Sequence, residues 1–285
     1  MDFASYRDQW LSEGFSNFSG LWYTQIALKK SKYYFDQLDL WKTDLRARQG
    51  EVGPVGLGYR TATASDGSEY GLVVYQKGAW ALHMLRILML DLRTMKEEKF
   101  EATMRDYFQT YKGRAASTDD FRRIAEQHAG SPLDWFFDQW LTTTAIPEYR
   151  VAWTAAPGEA GKYVVKLRVK QQNVSETFLA YVPIKLELEG GGVARLRVKV
   201  QGPLTEISPA TDAGEADVAA VQRPVRCAGG RPHGEVVGRV AIPESARGFP
   251  WTVSISPTVS GMDSSWPVRR QASSATSTSA PNTCC

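Results

Sequence analysis

Residues 205–285 of this 285-residue chain contain no leucine and no lysine, whereas residues 1–204 hold 21 leucines. The same stretch has only three aromatics, Phe249, Trp251 and Trp266, against 29 before it, yet it carries 8 of the 14 prolines. A domain without leucine is hard to pack. Residues 205–285 therefore read as an irregular, low-complexity tail that closes in a Ser/Thr/Ala-rich run over 272–283. Two readings of it stand. One is a disordered tail or linker. The other is translation out of frame from a GC-rich gene, which would favour its seven arginines, with alanine, glycine, proline and valine, over lysine and aromatics. Two pieces, Glu235–Ile242 and Trp251–Val259, retain the composition of short strands.

Other scarcities exclude whole classes. No cysteine occurs before Cys227, and Cys227, Cys284 and Cys285 have no zinc-ligand spacing with a histidine. No apolar run reaches the length of a membrane span, roughly 18 residues or more. The most apolar segment, Gly78–Leu90, is short and holds His83 and Arg86. The net charge of +3 gives no basic face for nucleic acid. No basic-then-apolar signal opens the chain, and the compartment is left open. Only three histidines exist, His83, His128 and His233, and no two are four residues apart.

What is present is mostly helical at first. Leu11, Phe15, Phe18 and Trp22 recur on one helical face. Further helices are expected over Lys32–Arg48, from near Tyr75 to about Leu92, from about Lys96 to Tyr111 and over Thr118–His128. A sixth holds Trp135, Phe136, Phe137 and Trp140, with Pro132 in its first turn. Phe100, Met104, Tyr107, Phe108 and Tyr111 are placed on one apolar face. Ser117 with Asp120 predicts a capping box, and Gly50–Gly71 reads as a long loop. After Pro147 the period changes to two. Tyr149–Trp153, Tyr163–Lys170, Phe178–Glu189 and Val193–Val200 read as strands, the last two joined through Gly190-Gly191-Gly192. Val165, Leu167 and Val169, and then Val193, Leu196, Val198 and Val200, are the apolar positions. The strand Lys and Arg residues read as a solvated face.

Four motifs carry chemistry. They are Trp10-Leu11-Ser12-Glu13-Gly14-Phe15-Ser16, Val74-Tyr75-Gln76-Lys77-Gly78-Ala79, Ser117-Thr118-Asp119-Asp120-Phe121, and Leu133–Trp140 with the following Thr144-Ala145-Ile146-Pro147. In that order they resemble elements of the aminopeptidase-N-like zinc metallopeptidases, a gluzincin family, over residues 1–204. The resemblance implies that Glu13 is the third zinc ligand and that Tyr75 donates to the oxyanion of the tetrahedral intermediate. It allows Asp8 to be a carboxylate that orients a zinc-bound histidine. Without the resemblance, Asp8 would serve as an N-cap for the Glu13 helix, Glu13 as a solvent-facing or paired carboxylate, and Tyr75 as a packing residue. His83 reads as a core histidine and His128 as a cation at a helix C-terminus.

The resemblance implies an α+β fold. The helical lower half of a thermolysin-like peptidase domain would occupy 1–147, a small antiparallel β-sandwich 148–204, and the tail 205–285. It implies zinc as cofactor and peptides as substrates in the intact family member, with no nucleic acid and no transmembrane segment. Catalytic zinc takes three protein ligands and a water. The family's two other ligands and its general base lie upstream on a His-Glu-x-x-His helix, and only twelve residues precede Glu13 here. The expectation is a fragment of such an enzyme that is inactive as an isolated chain and exposes apolar surface where the rest would pack. A complementary N-terminal half could supply the missing ligands. The alternative is a non-catalytic scaffold or protein-binding module derived from the family.

Overall fold

The computed structural model describes residues 2–61, 67–157, 163–187, 193–207, 238–239 and 253–255. The architecture is α+β, with helices up to residue 142 and strands thereafter. A two-residue strand β1 (Asp2–Phe3) and a 3-10 turn (Tyr6–Asp8) lead into α1 (Trp10–Ile26), followed by α2 (Ser31–Ala47). The segment expected as a long loop is partly wound. It holds a kinked 3-10 stretch, Val55–Thr61, and residues 62–66 lie outside the described set. Helix then resumes at α3 (Ser68–Tyr70), earlier than the sequence pattern indicates. It passes through a π-helical stretch, Gly71–Lys77, into α4 (Gly78–Met89). Next come α5 (Glu98–Tyr111), β2 (Ala115–Ala116, parallel to β1), α6 (Thr118–Ala129) and α7 (Asp134–Thr142).

The capping box is present. Ser117 accepts from the Asp120 amide and the Asp120 carboxylate accepts from the Ser117 amide, a cap worth about 1 kcal/mol. Pro132 lies just before α7, whose N-cap is Leu133, and not in its first turn. Phe108 is exposed. It follows buried Tyr107 by one residue, about 100° around the helix, so the face that holds Phe100 and Tyr107 turns away from it.

One aromatic core joins the helices. Trp10, Phe15, Tyr107, Phe121 and Phe137 stack in mutual edge or tilted contacts, with centroids 4.9–6.4 Å apart. A second cluster belongs to the strands β3 (Glu148–Pro157), β4 (Tyr163–Gln172), β5 (Leu179–Glu187), β6 (Val193–Gln201), β7 (Leu204–Ile207), β8 (Gly238–Arg239) and β9 (Val253–Ile255). They form two sheets, ordered β7-β4-β3-β8 and β6-β5-β9. All pairings in these sheets are antiparallel except β5 with β9. Register pairs Trp153 with Leu167 in one sheet and Ile184 with Leu196 in the other, and all four side chains share the buried cluster. In β6 the buried set is Ala194, Leu196, Val198 and Val200. These positions share one face, as side chains two apart do; the side chain of Val193 lies outside the described set.

The strand basic residues are not all solvated. Arg197 reaches from β6 to the carbonyls of Ile87 (3.0 Å) and Leu90 (2.8 Å) at the end of α4, where a cation meets the negative end of the helix dipole. Gln139 of α7 exchanges two hydrogen bonds with the Leu179 backbone. Trp135 and Trp140 bridge to Tyr181 and Phe178. An apolar crevice opens beside them. No described helix is long and apolar enough to cross a membrane. Strands β8 and β9 fall within the two short pieces foreseen in the tail. The rest of 208–285, and with it the expected low-complexity run, lies outside the described residues, as does Gly190-Gly191-Gly192.

Candidate active site

Backbone contact between two helices creates the site. A Cβ placed on Gly14 would sit 2.9 Å from the carbonyl carbon of Gly78. Only glycine lets α1 lie this close to the junction of the π-helical stretch with α4. The residues flanking the crossing are thereby brought together: Glu13 in the first turn of α1, and Tyr75 three residues before Gly78.

The Tyr75 phenol lies within the influence of the Glu13 carboxylate: polar interaction with Glu13 comes first, and burial and the Glu13 charge add to it, in pushing the phenol pKa up to about 12. Tyr70 stacks edge-on against Tyr75 at 5.6 Å. Burial and the Glu13 charge raise its pKa as well. Tyr70 was not among the sequence candidates. Its five-residue spacing from Tyr75 means little on an α-helix, but it matches the i→i+5 winding of a π-helix. Single π turns cluster at functional sites. The stretch is anchored below by Lys77, whose buried amine donates to the Thr143 carbonyl at 2.7 Å, just past α7. Burial lowers the Lys77 pKa to about 8.

Asp8 is buried elsewhere. One oxygen accepts from the Thr118 amide (2.7 Å) and hydroxyl (2.8 Å), and the other from the Ser5 hydroxyl (2.6 Å). It does not cap α1, whose N-cap is Gln9. It holds the first residue of α6 instead, beside Trp10, which donates its indole N–H to Thr118.

The two described histidines make their contacts with other residues than Glu13. His83 is fully buried on α4, with Nδ1 2.8 Å from the Tyr34 hydroxyl. Burial, with the nearby Arg86 charge, lowers its pKa to about 3. His128 pairs with Asp106 at 2.8 Å near the end of α6. His233 lies outside the described residues. Among the described residues, no group of three His, Cys, Asp or Glu side chains could hold a metal ion. Glu13 offers one carboxylate, so the donor set found here does not fit a three-ligand zinc site by itself.

The arrangement can bind and polarise. The partly buried Glu13 carboxylate has two partly buried phenols, Tyr75 and Tyr70, in its neighbourhood. No curated protein matches the chain. Residues 2–140 match the family model described as the peptidase family M1 domain, a span that contains Glu13, Tyr75, the α6 cap and nearly all of α7. Over that span the chain is similar to the peptidase family M1 domain.

Proposed function

We propose that this chain supplies part of the active site of an aminopeptidase-N-like zinc metallopeptidase acting on peptides. Glu13 is its metal-facing carboxylate. Tyr75 is the donor to the oxygen that gains charge when a peptide carbonyl is attacked, a role worth on the order of 3 kcal/mol for a well-aimed group. The observation that carries this reading is the glycine-to-glycine helix crossing inside the M1 match, which sets Tyr75 close enough to Glu13 for the carboxylate to raise its pKa. The helical part corresponds in this reading to the lower half of a thermolysin-like domain, over 1–147. The two sheets correspond to a small β-sandwich, over 148–204. Asp8 serves the scaffold, since both of its oxygens are engaged by Thr118 and Ser5.

One carboxylate cannot hold catalytic zinc tightly, and the isolated chain is accordingly inactive. The purified protein, given zinc and a chromogenic alanine amide, should release no product above the blank. Zinc-dependent release would overturn this. A companion polypeptide carrying a His-Glu-x-x-His helix should take up zinc when mixed with this chain, and Glu13→Gln should abolish the uptake. Equal uptake by the Gln variant would remove Glu13 from the site. Exposed Tyr23, Ile26, Leu28 and Tyr33, around the α1–α2 junction, form the kind of surface such a companion would cover. The same surface also suits a non-catalytic binding module, which would be monodisperse without metal and indifferent to Glu13→Gln.

A further inference from the structure

A second charged cluster is tied to α1 through Gln9, one helical turn before Glu13, and takes no part in the chemistry above. The Tyr6 hydroxyl accepts from Arg7 Nε at 3.0 Å and from Arg60 Nη1 at 3.2 Å. Arg60 also lies over the Tyr6 ring, its guanidinium carbon 4.0 Å from the centroid, a cation–π contact that fixes its plane. Tyr59 closes one side, edge-on to Tyr6 at 5.9 Å.

Backbone geometry builds this cluster. Gly58 has φ +54°, and a Cβ there would fall 1.9 Å from the Tyr6 carbonyl oxygen, so only glycine allows the 55–61 segment to press onto the 6–8 turn. Gln9 then ties the segment to α1. Its side-chain oxygen accepts from the Tyr59 amide at 2.6 Å, and its backbone oxygen accepts from the Glu13 amide at 3.0 Å.

Two guanidinium groups thus converge on one phenol oxygen. Among the described residues neither Arg7 nor Arg60 forms an ion pair. The nearest acid along the chain, Asp8, has both oxygens committed to Thr118 and Ser5. Among the described residues, the remaining guanidinium N–H donors and the Tyr6 proton have no hydrogen-bond partner. The arginines lower the Tyr6 pKa, through the Arg7 hydrogen bond first, as they would favour any negative charge placed there. Converging arginines with planar donor forks match a carboxylate better than a point cation does.

We propose that Arg7, Arg60 and Tyr6 bind the C-terminal carboxylate of a short peptide whose other end lies toward Glu13 and Tyr75. The assignment of a peptide rests on the function proposed above; the carboxylate site rests on the cluster itself. Gln9 and Glu13 are one turn apart, about 5.4 Å of helix rise. An extended peptide of three or four residues, at about 3.3–3.6 Å per residue, is long enough to cover that turn and the side chains at either end.

The test uses the metal-free full chain, so it needs neither zinc nor turnover. Trialanine, its C-terminal amide and inorganic phosphate are titrated separately at low salt and followed by NMR shifts of the Tyr59 and Arg60 amides. The free acid should bind at least tenfold more tightly than the amide and than phosphate. Arg60→Gln and, separately, Arg7→Gln should each bring the acid down to the amide's affinity while circular dichroism is unchanged, since both side chains are exposed. Equal binding of acid and amide, or unaltered acid binding in both variants, would overturn the site. Phosphate binding as tight as that of the acid would overturn the peptide assignment. Failure of zinc uptake in the mixing experiment would remove the metallopeptidase reading and leave the acid–amide comparison standing.

Discussion

The same two helical segments carry polar clusters at opposite ends, and the two clusters behave differently. Near the start of α1, Glu13 meets Tyr75 and Tyr70 on a half-open surface. Near its end, Gln25 meets Arg86 of α4 at 2.8 Å. Arg86 also grips Glu97 through two bonds of 2.6 and 2.7 Å and donates to Tyr34, which in turn holds His83. The second cluster is buried, and the Arg86 donors meet acceptors from α1, α2 and the turn before α5. It joins helices and leaves little for a ligand. The first cluster keeps an accessible carboxylate beside two phenols. A buried arginine whose donors meet acceptors from several helices marks a scaffold, and convergence with spare capacity marks a site.

The largest test of that contrast is Arg86→Met. It should cost about 3–5 kcal/mol, because Glu97 loses its counter-charge and Tyr34 and Gln25 lose a donor in a low-dielectric setting. Urea denaturation would show it as a large drop in midpoint. A loss below about 1 kcal/mol, the range of ordinary surface substitutions, would mean that the network is incidental to the fold.

The next test is pH. Burial keeps folded His83 neutral down to about 3, whereas an unfolded histidine takes up a proton near 6.5. The stability held by neutral His83 is therefore complete above about pH 6.5 and drains as pH falls toward 3, by up to about 1.4 kcal/mol per pH unit. Urea midpoints for the natural chain and for His83→Gln should diverge in slope between pH 6 and pH 4. Parallel slopes would show that His83 titrates as freely as an exposed histidine.

The smallest effect belongs to the open cluster. Tyr75→Phe should change stability by no more than about 0.5 kcal/mol, as expected for a partly exposed group outside the core. A destabilisation above about 2 kcal/mol, the scale of a lost buried contact, would place Tyr75 with the scaffold and weaken its assignment to the site.

Much of the helical part is legible in the chain itself. The apolar spacing of α1, the Ser117–Asp120 box and the alternation in β4 each depend on neighbours within a few residues. The departures have local causes. Phe108 falls one position off a narrow stripe. Helix in the 68–77 region is hidden by glycines and by π winding, which shifts the periodicity on which pattern reading depends. Arg197 looked solvated because its acceptors, two carbonyls at the end of α4, are over a hundred residues away in sequence.

The motifs by themselves nominated Glu13 and Tyr75 and pointed to the family whose domain residues 2–140 match. Tertiary structure decided which of them meet. Gly14 and Gly78 look like ordinary helix residues on paper. Their contact brings the carboxylate to the phenol, because helix backbones can touch only where both lack a Cβ. The packing of α6 against the 6–8 turn likewise gave Asp8 to Thr118, and the strain of Gly58 brought Arg60 over Tyr6. Such pairings link residues 50 to 110 positions apart. They follow from the approach of whole elements and not from any local spacing.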